Sequence, residues 1–431
     1  MFSIIYQMIK NVIYQQFEER NFLLSRDYVQ RQDVPAKSKL LSTGLIKLIT
    51  GPRRAGKSVF SLQLLKNENF GYLNFDDDQL LKHFNEDAVI QSLNEIYPDY
   101  RYLLLDEIQN LPGWELWINK LNRRGSNLII TGSNAKLLSG EMAASLTGRF
   151  VQIEVFPFSF AEVLRFHKIS LPDRQVLIPA EMGNILNHLN SYLLSGGFPE
   201  IVLNPSIADN YLSALFDSVL LKDIMRRFRI RQPRQLFDLS NYLLANCTNP
   251  YSFNQLKTGL NFNSVATVQK FTGYLTETYL FVILTRYAVK VKTQQKSPGK
   301  FYIIDNGFIK ARSFRISPNY GSQLENVVFT ELLRRHYKPG LDLFYYRTRN
   351  DREVDFLCRK GHVVEKLIQV CYDISNPKTL KREIDALVEA SGELSCKNLI
   401  LITWDKEEEL KQKETVINLI PAWRWLTRAE R

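Results

Sequence analysis

The sequence has few cysteines and no long uninterrupted apolar run. Its four cysteines, Cys247, Cys358, Cys371 and Cys396, include no CxxC pair. This scarcity argues against a zinc ribbon or a disulfide framework, and it favours a reduced, cytoplasmic setting. No segment reaches the about 18 consecutive apolar residues that a membrane-spanning helix needs, so we predict no membrane span.

The first residues, MFSIIYQMIKNVIYQQFEER, are apolar enough to resemble a signal peptide. However, Lys10 interrupts the apolar run, and no small-residue cleavage site follows it. We therefore predict an N-terminal amphipathic helix within residues 1–30.

Composition indicates a globular protein of several domains, because 431 residues exceed what one ordinary core accommodates. The 56 Lys and Arg residues outnumber 45 Asp and Glu residues, which gives a net charge of +11. A basic surface favours polyanionic partners, DNA before RNA, although proteins that bind no nucleic acid also carry such an excess.

A glycine loop follows the apolar run at residues 45–49 and precedes a helical pattern. Its residues are Gly51, Pro52, Arg53, Arg54, Ala55, Gly56, Lys57 and Ser58. Such a loop wraps a phosphate with backbone amides, while Lys57 reaches the β and γ phosphates and Ser58 ligates Mg²⁺. The spacing therefore predicts a site for a nucleoside triphosphate with Mg²⁺.

A second apolar strand, at residues 102–105, ends in Asp106 and Glu107. In an ATPase of this kind Asp106 would hold Mg²⁺ through water, and Glu107 would act as the base for the attacking water. The alternative is a pair of acids capping a helix.

A third strand, at residues 127–130, runs into Ser133 and Asn134, which would orient the lytic water at the carboxyl edge of the sheet. Further on, Arg149 precedes a strand predicted for residues 150–155. It would stabilise transition-state charge on a neighbouring subunit's nucleotide, which requires a homo-oligomer. An exposed salt-bridge arginine is the alternative.

These strings, in this order, resemble a prokaryotic family of two-part AAA-type ATPases. The first half carries GPRRAGKS, LLLDEIQ, ITGSNAKLLS, LTGRF and FPFSF, and the second carries LSGGFPE, LKDIMRRFRI, YIIDNGF, LENVVFTELLRR and REVDF. The resemblance covers nearly the whole chain. It implies an AAA+ parallel-sheet domain that binds ATP, followed by a half of unknown function.

The middle of the chain resembles a winged helix. Two helices are predicted after Tyr251, the second with Ser264 as its N-cap, and two strands flank the basic loop at residues 290–300, the predicted wing. The second helix offers only Lys270 among its cations, so protein contact competes with DNA recognition. The SGGFPE turn is interpreted either as a nucleotide-sensing lid or as a plain turn.

The C-terminal part resembles the core of the PD-(D/E)XK nuclease fold. Carried over residue by residue, Glu325 matches its helix acid and Asp355 its strand acid, with Glu353 on the same strand face. In that fold such acids surround Mg²⁺ ions that activate water. We therefore predict a nuclease-like site here.

The third element departs from that pattern, because Gln369 and Cys371 stand where an ExK glutamate and lysine are expected. Gln369 still offers a carbonyl oxygen to a metal, whereas a cysteine cannot replace the lysine. Glu365 is predicted on the same strand face, and Lys366 or Lys381 would have to take over the missing role. We expect this vestigial site to be catalytically silent.

We thus predict an α/β protein with five segments. They are a helix (1–30), an AAA-type domain (31–165), a helical connector (166–210), a winged-helix-like domain (211–300) and a nuclease-like domain (301–431). The first hypothesis is ATP hydrolysis coupled to DNA binding or remodelling. The second is a nucleotide-gated switch whose C-terminal half docks a protein partner.

Overall fold

The protein is described from a computed structural model, which covers residues 2–132, 148–171, 178–312, 319–412 and 415–428. The chain divides into two compact units, Met1–Phe156 and Pro157–Arg431. The predicted segment boundaries after residues 165, 210 and 300 fall inside regular elements of the second unit, and finer division into domains stays a prediction.

The first unit is a parallel sheet packed with helices. Its helices are α1 (Phe2–Ser25), α2 (Val34–Lys37), α3 (Lys57–Leu65), α4 (Asp78–Lys82), α5 (Glu86–Ile96) and α6 (Trp114–Arg123). Its strands are β1 (Ile46–Thr50), β2 (Phe70–Asn74), β3 (Tyr102–Asp106), β4 (Asn127–Gly132) and β5 (Phe150–Glu154), in the spatial order β2-β3-β4-β1-β5.

Every residue of β1 and β3 is buried, as expected for parallel strands covered on both faces. The predicted parallel α/β fold is confirmed. Because all five strands run in the same direction, Thr50, Asp106 and Gly132, at the carboxyl ends of β1, β3 and β4, lie at one edge of the sheet. This carboxyl edge is where α/β sheets bind ligands.

The second unit contains a helical region and two sheets. Its helices are α7 (Phe160–Phe166), α8 (Pro179–Ser195), α9 (Pro199–Leu203), α10 (Ala208–Ser218), α11 (Pro233–Ala245), α12 (Phe253–Gly259), α13 (Val265–Glu277), α14 (Val291–Lys296), α15 (Gly307–Arg312), α16 (Tyr320–Arg334), α17 (Pro377–Leu394) and α18 (Ala422–Thr427). A π-helix, Val219–Arg226, continues from α10.

Its strands are β6 (Pro250–Tyr251), β7 (Phe281–Thr285), β8 (Gly299–Ile303), β9 (Leu343–Arg347), β10 (Glu353–Lys360), β11 (Val363–Cys371), β12 (Leu399–Thr403), β13 (Glu408–Gln412) and β14 (Thr415–Pro421). The smaller sheet has the order β6-β8-β7, and the larger has the order β13-β14-β12-β11-β10-β9.

The helix pair α12 and α13 precedes β7 and β8 as predicted. Ser264 caps α13 by accepting a hydrogen bond from the backbone of Thr267, which confirms the predicted N-cap. The prediction of an open basic wing at residues 290–300 is wrong. That stretch holds α14, and Lys300 lies buried in β8, because its side chain has partners inside the second unit.

In chain order, α16 is followed by β9, β10 and β11 and then by α17, which is the order of helix, three strands and helix that the nuclease-like prediction implies. Strands β9, β10 and β11 are antiparallel, and β12 and β14 continue parallel to β11. The order agrees with the nuclease-like prediction, but it does not by itself establish that fold. Within the described ranges, no helix combines the length and apolar character needed to cross a membrane.

Candidate functional site

The glycine loop has the backbone shape of an anion cradle. Gly51 has φ 144°, and a Cβ atom there would lie 2.1 Å from the backbone oxygen of Val155, so only glycine fits. Gly56, with φ 91°, sits at the N-cap of α3, and Arg54 is also left-handed. Loops of this shape turn successive N–H groups toward an anion at a helix N-terminus.

Lys57 is buried at the base of this loop. Its Nζ donates to the carbonyl oxygens of Gly51, at 3.3 Å, and Pro52, at 3.1 Å. The ammonium is therefore held against the loop, where a bound phosphate would be within its reach. Arg53 is half-buried and Ala55 is buried in the same loop.

Arg31 supports the loop from behind. Its buried guanidinium donates to the carbonyl oxygens of Ala55 and Phe156, and its backbone N–H donates to Gln63 on α3. These contacts tie the loop to α3 and to the residues after β5. Sequence reasoning gave Arg31 no role, since no motif marks it.

The carboxylate of Asp106 forms hydrogen bonds with three hydroxyl groups at the carboxyl edge. It accepts from Ser58 at 3.0 Å, from Tyr72 at 3.4 Å and from Thr131 in a short hydrogen bond. Burial, reinforced by the charge of Glu107, raises the pKa of Asp106 above its ordinary value, against the opposing effects of Thr131 and Ser58. The predicted neighbours Ser58 and Asp106 do meet, and their oxygens suit a hard cation such as Mg²⁺.

Glu107 follows with a left-handed backbone, φ 51°, which is uncommon for a glutamate. Its N–H donates to the hydroxyl of Thr131 at 3.0 Å, and its carboxylate accepts from Gln109. Strained residues of this kind concentrate at functional sites. Glu107 thus begins the turn that follows β3 at the carboxyl edge.

Thr131 thus links both acids, although sequence reasoning passed over it. The TGSN string contains Thr131, two residues before the predicted polar pair Ser133 and Asn134. Ser133 and Asn134 themselves lie outside the described residues.

Arg149 lies at the opposite edge of the sheet from the glycine loop. It precedes β5, whose first residue pairs with Ile46 at the start of β1. Five residues of strand, at about 3.3 Å each, place it roughly 15 Å from the carboxyl edge. Arg149 is therefore not part of its own chain's site, and only its predicted action on a neighbouring subunit stays open.

A second cluster of charged side chains lies in the second unit. Nζ of Lys300, a residue that is 1% exposed, lies 2.7 Å from a Glu353 carboxylate oxygen, 3.0 Å from one of Glu325 and 3.5 Å from one of Asp355. The hydroxyl of Tyr302 also donates to Glu325, at 2.6 Å. The predicted acids therefore come together around a lysine that sequence reasoning had assigned to the wing.

The charges of this cluster depend on one another. Burial opposes the charge of Lys300, but Glu325, Asp355 and Glu353 outweigh it and raise the pKa of the ammonium. Burial and the charge of Glu325 raise the pKa of Asp355 well above its usual range, against the pull of Lys300. Lys300 is therefore the cation of the cluster, and Asp355 keeps a proton more readily than an ordinary aspartate does.

Gln369 contacts the cluster from β11. Its carbonyl oxygen accepts from the backbone N–H of Asp355 at 3.1 Å, and its amide nitrogen donates to Glu383 at 2.7 Å. Both polar ends are thus engaged within the protein. Cys371 lies at the strand's end, where its thiol contacts the backbone oxygen of Asp373.

The residues proposed to replace the missing lysine do not do so. A register shift pairs Cys358 with Lys366 but Arg359 with Val364, which leaves Glu365 exposed at a bulge. Lys366 lies over the ring of Tyr337, and Lys381 is exposed. Across the described ranges, no group of three or more acids, histidines or cysteines has the arrangement of a metal site.

The SGGFPE turn has an internal role in the second unit. The buried carboxylate of Asp305 accepts from the N–H groups of Gly197, at 2.7 Å, and Gly307, at 2.9 Å. A Cβ atom on Gly196 would lie 1.6 Å from that carboxylate. The paired glycines therefore allow close packing on Asp305, which favours the plain-turn interpretation.

Comparison with known proteins gives matches along most of the chain. Family models match as an AAA domain over residues 43–164, a domain of unknown function (DUF8612) over residues 186–317 and a domain of unknown function (DUF4143) over residues 320–424. An uncharacterized protein of Methanocaldococcus jannaschii is 32% identical, with 94% of this chain and 96% of the relative covered.

An uncharacterized protein of Haemophilus influenzae is 31% identical, with 82% of this chain and 88% of the relative covered. A solved Walker-type ATPase of Pyrococcus abyssi is 15% identical with a TM-score of 0.43, covering 66% of this chain and 96% of that one. The AAA match contains the glycine loop, Asp106, Glu107 and Thr131.

Proposed function

The chain belongs to the family of these archaeal and bacterial relatives and carries an AAA-type ATPase domain, and we propose that it hydrolyses ATP with Mg²⁺ to act on DNA. ATP hydrolysis is supported by one observation: hydrogen bonds connect Ser58, Asp106, Glu107 and Thr131 beside the glycine loop.

Each of these residues has a chemical role in the proposal. The loop from Gly51 to Gly56 binds the phosphates through its amides, and Lys57 neutralises their charge. Ser58, and Asp106 through water, would hold Mg²⁺, and the bound ion would offset the negative charge that develops on the phosphates. Glu107 takes the proton of the attacking water, as a general base at this edge does.

Further groups complete the site in this proposal. Thr131 holds Asp106 and Glu107 in register through its two hydrogen bonds. Ser133 and Asn134 orient the water, and Arg149 reaches the nucleotide of a neighbouring copy in a homo-oligomer. The position of Arg149 at the far edge of its own sheet supports an action in trans rather than in cis.

The second unit is proposed to bind DNA through a winged-helix-like part while its nuclease-like part is silent. The position of Lys300 supports the absence of nuclease activity, because its ammonium contacts the three carboxylates that would otherwise ligate a metal. The engagement of Gln369 with Glu383 supports it further. The nuclease-like part then serves as a docking module rather than as a catalyst.

ATP turnover of the full chain, measured with no nucleic acid and with single-stranded, duplex and branched DNA or RNA, tests the proposal. Product gels with Mg²⁺ or Mn²⁺ run in parallel. We expect turnover that DNA stimulates and no strand cleavage. Turnover that ignores nucleic acid, together with an absence of salt-sensitive binding, would favour the protein-docking switch instead.

A further inference from the structure

Four exposed arginines lie on one short stretch at the end of the π-helix. Arg226, Arg229 and Arg231 are exposed, and no carboxylate within the described ranges pairs with them. We call residues 226–231 the arginine segment. Arg227 also lies in this segment, but Asp223 and Glu277 are near it and partly offset its charge, so it is less suited to bind an anion.

The backbone holds this segment in a defined shape. Arg229 has a left-handed backbone, φ 49°, and the N–H of Ile230 donates to the carbonyl oxygen of Met225 at 3.1 Å. This bond closes the helix end in the manner of a Schellman motif. A cation in the last turn stabilises the helix dipole, which accounts for Arg226 but not for Arg229 or Arg231, since both follow the helix end.

Aromatic stacking attaches the segment to the helix pair. The ring of Phe228 stacks on that of Tyr274 in α13, with centroids 3.7 Å apart and planes 13° from parallel. Nζ of Lys270 lies 5.9 Å from the Tyr274 ring centroid. Both rings are half-buried, so the arginine segment and the lone cation of α13 belong to one basic, aromatic surface.

We propose that this surface binds the phosphate backbone of DNA. Guanidinium groups match phosphate oxygens in two-pronged geometry, and they are more weakly hydrated than an ammonium, so contact with a phosphate costs them less solvation than it costs a lysine. The proposal rests on the DNA clause of the proposed function and changes where the contact lies. It moves the contact from the predicted wing to the arginine segment, which supplies the cations that α13 lacks.

The test compares two charge-matched variants of the full chain. The first replaces Arg226, Arg229 and Arg231 with Gln, and binding of a fluorescent DNA duplex is followed by anisotropy at several salt concentrations. Because each neutralised phosphate contributes about 0.9 to the salt slope, we expect the slope to fall by up to about 3 and the Kd to rise at least about tenfold.

The control replaces Lys290, Lys292 and Lys296 with Gln, which removes the same charge from three exposed positions in α14 and directly before it. We expect the control to keep the wild-type slope. A third variant with Lys in place of the three arginines keeps the charge, and we expect it to keep the slope while its Kd rises less than that of the Gln variant.

Loss of binding in the lysine control, with wild-type binding in the arginine variant, would overturn the assignment while leaving the DNA clause intact. If the wild type binds no DNA at any salt concentration, the DNA clause fails and the assignment fails with it. ATP turnover without DNA should be the same in all three variants and the wild type, which shows that the first unit is unaffected.

Discussion

Replacing Lys300 with Met should strongly destabilise the second unit. The side chain is buried, and its ammonium is 2.7 Å, 3.0 Å and 3.5 Å from three carboxylates. Removing one partner of a buried ion pair costs about 3–5 kcal/mol, because the remaining charges stay buried without compensation. We therefore expect Lys300→Met to lower the free energy of unfolding of the second unit by about 3–5 kcal/mol.

The neighbouring substitutions should have smaller effects that follow from the same charges. Tyr302→Phe removes one hydrogen bond to Glu325 and should cost about 1–2 kcal/mol. Glu353→Gln removes one of three acids that face a single ammonium, so we expect a change within about 1 kcal/mol. Urea unfolding read by hydrogen exchange in β8 and β10 reports on the second unit alone.

Divalent cations provide the complementary measurement. Without the ammonium, the three carboxylates lose the cation that offsets their charge, so Mn²⁺ should raise the stability of Lys300→Met but leave the wild type unchanged. The reasoning fails if Lys300→Met is as stable as the wild type. Equal protection of both proteins by Mn²⁺ would likewise show that Lys300 does not take the metal's place.

Three further predictions concern other contacts. Thr131→Val removes the hydroxyl that bonds both Asp106 and the Glu107 N–H, and leaving these groups without a partner costs about 1–3 kcal/mol of stabilisation. ATP turnover should therefore fall about tenfold to a hundredfold, while nucleotide binding, measured by calorimetry, persists. Gly51→Ala sets a Cβ atom against a backbone oxygen, and we expect ATP affinity to fall at least about tenfold with an unchanged circular dichroism spectrum. Burial raises the pKa of Asp305 from 3.8 to about 6, so the folded state binds its proton more tightly than the unfolded state does. The stability that this proton adds is lost as pH rises through about 6. Relative to Asp305→Asn, the wild type should gain up to about 3 kcal/mol in unfolding free energy as pH falls from about 7 to about 4, and a pH-independent difference would contradict this.

The first unit could be predicted well because its signals are local. A glycine loop between an apolar strand and a helix constrains its own backbone, and a strand ending in Asp106 must deliver that residue to the same edge. The meeting of Ser58 and Asp106 followed from these facts. The far position of Arg149 was also accessible, since a residue before a parallel strand lies at its amino edge.

The second unit was harder because its decisive contacts are distant in sequence. Lys300 resembles one more cation of a basic loop until the fold places it beside Glu325 and Asp355. The bulge that moves Glu365 outward depends on the pairing of two strands, which alternation along one strand does not reveal. Local patterns predicted the elements here, but not which side chains meet.

ATP hydrolysis in the first unit depends, in our proposal, on Glu107 as the base for the attacking water. Its most direct test is steady-state ATP turnover with Mg²⁺, alongside nucleotide binding, for the wild type, Lys57→Ala and Glu107→Gln. Glu115→Gln, in the next helix, serves as the matched control. We predict wild-type turnover in the control, loss of binding in Lys57→Ala, and in Glu107→Gln retained binding with turnover lowered about a hundredfold or more. Wild-type turnover in Glu107→Gln would contradict this role.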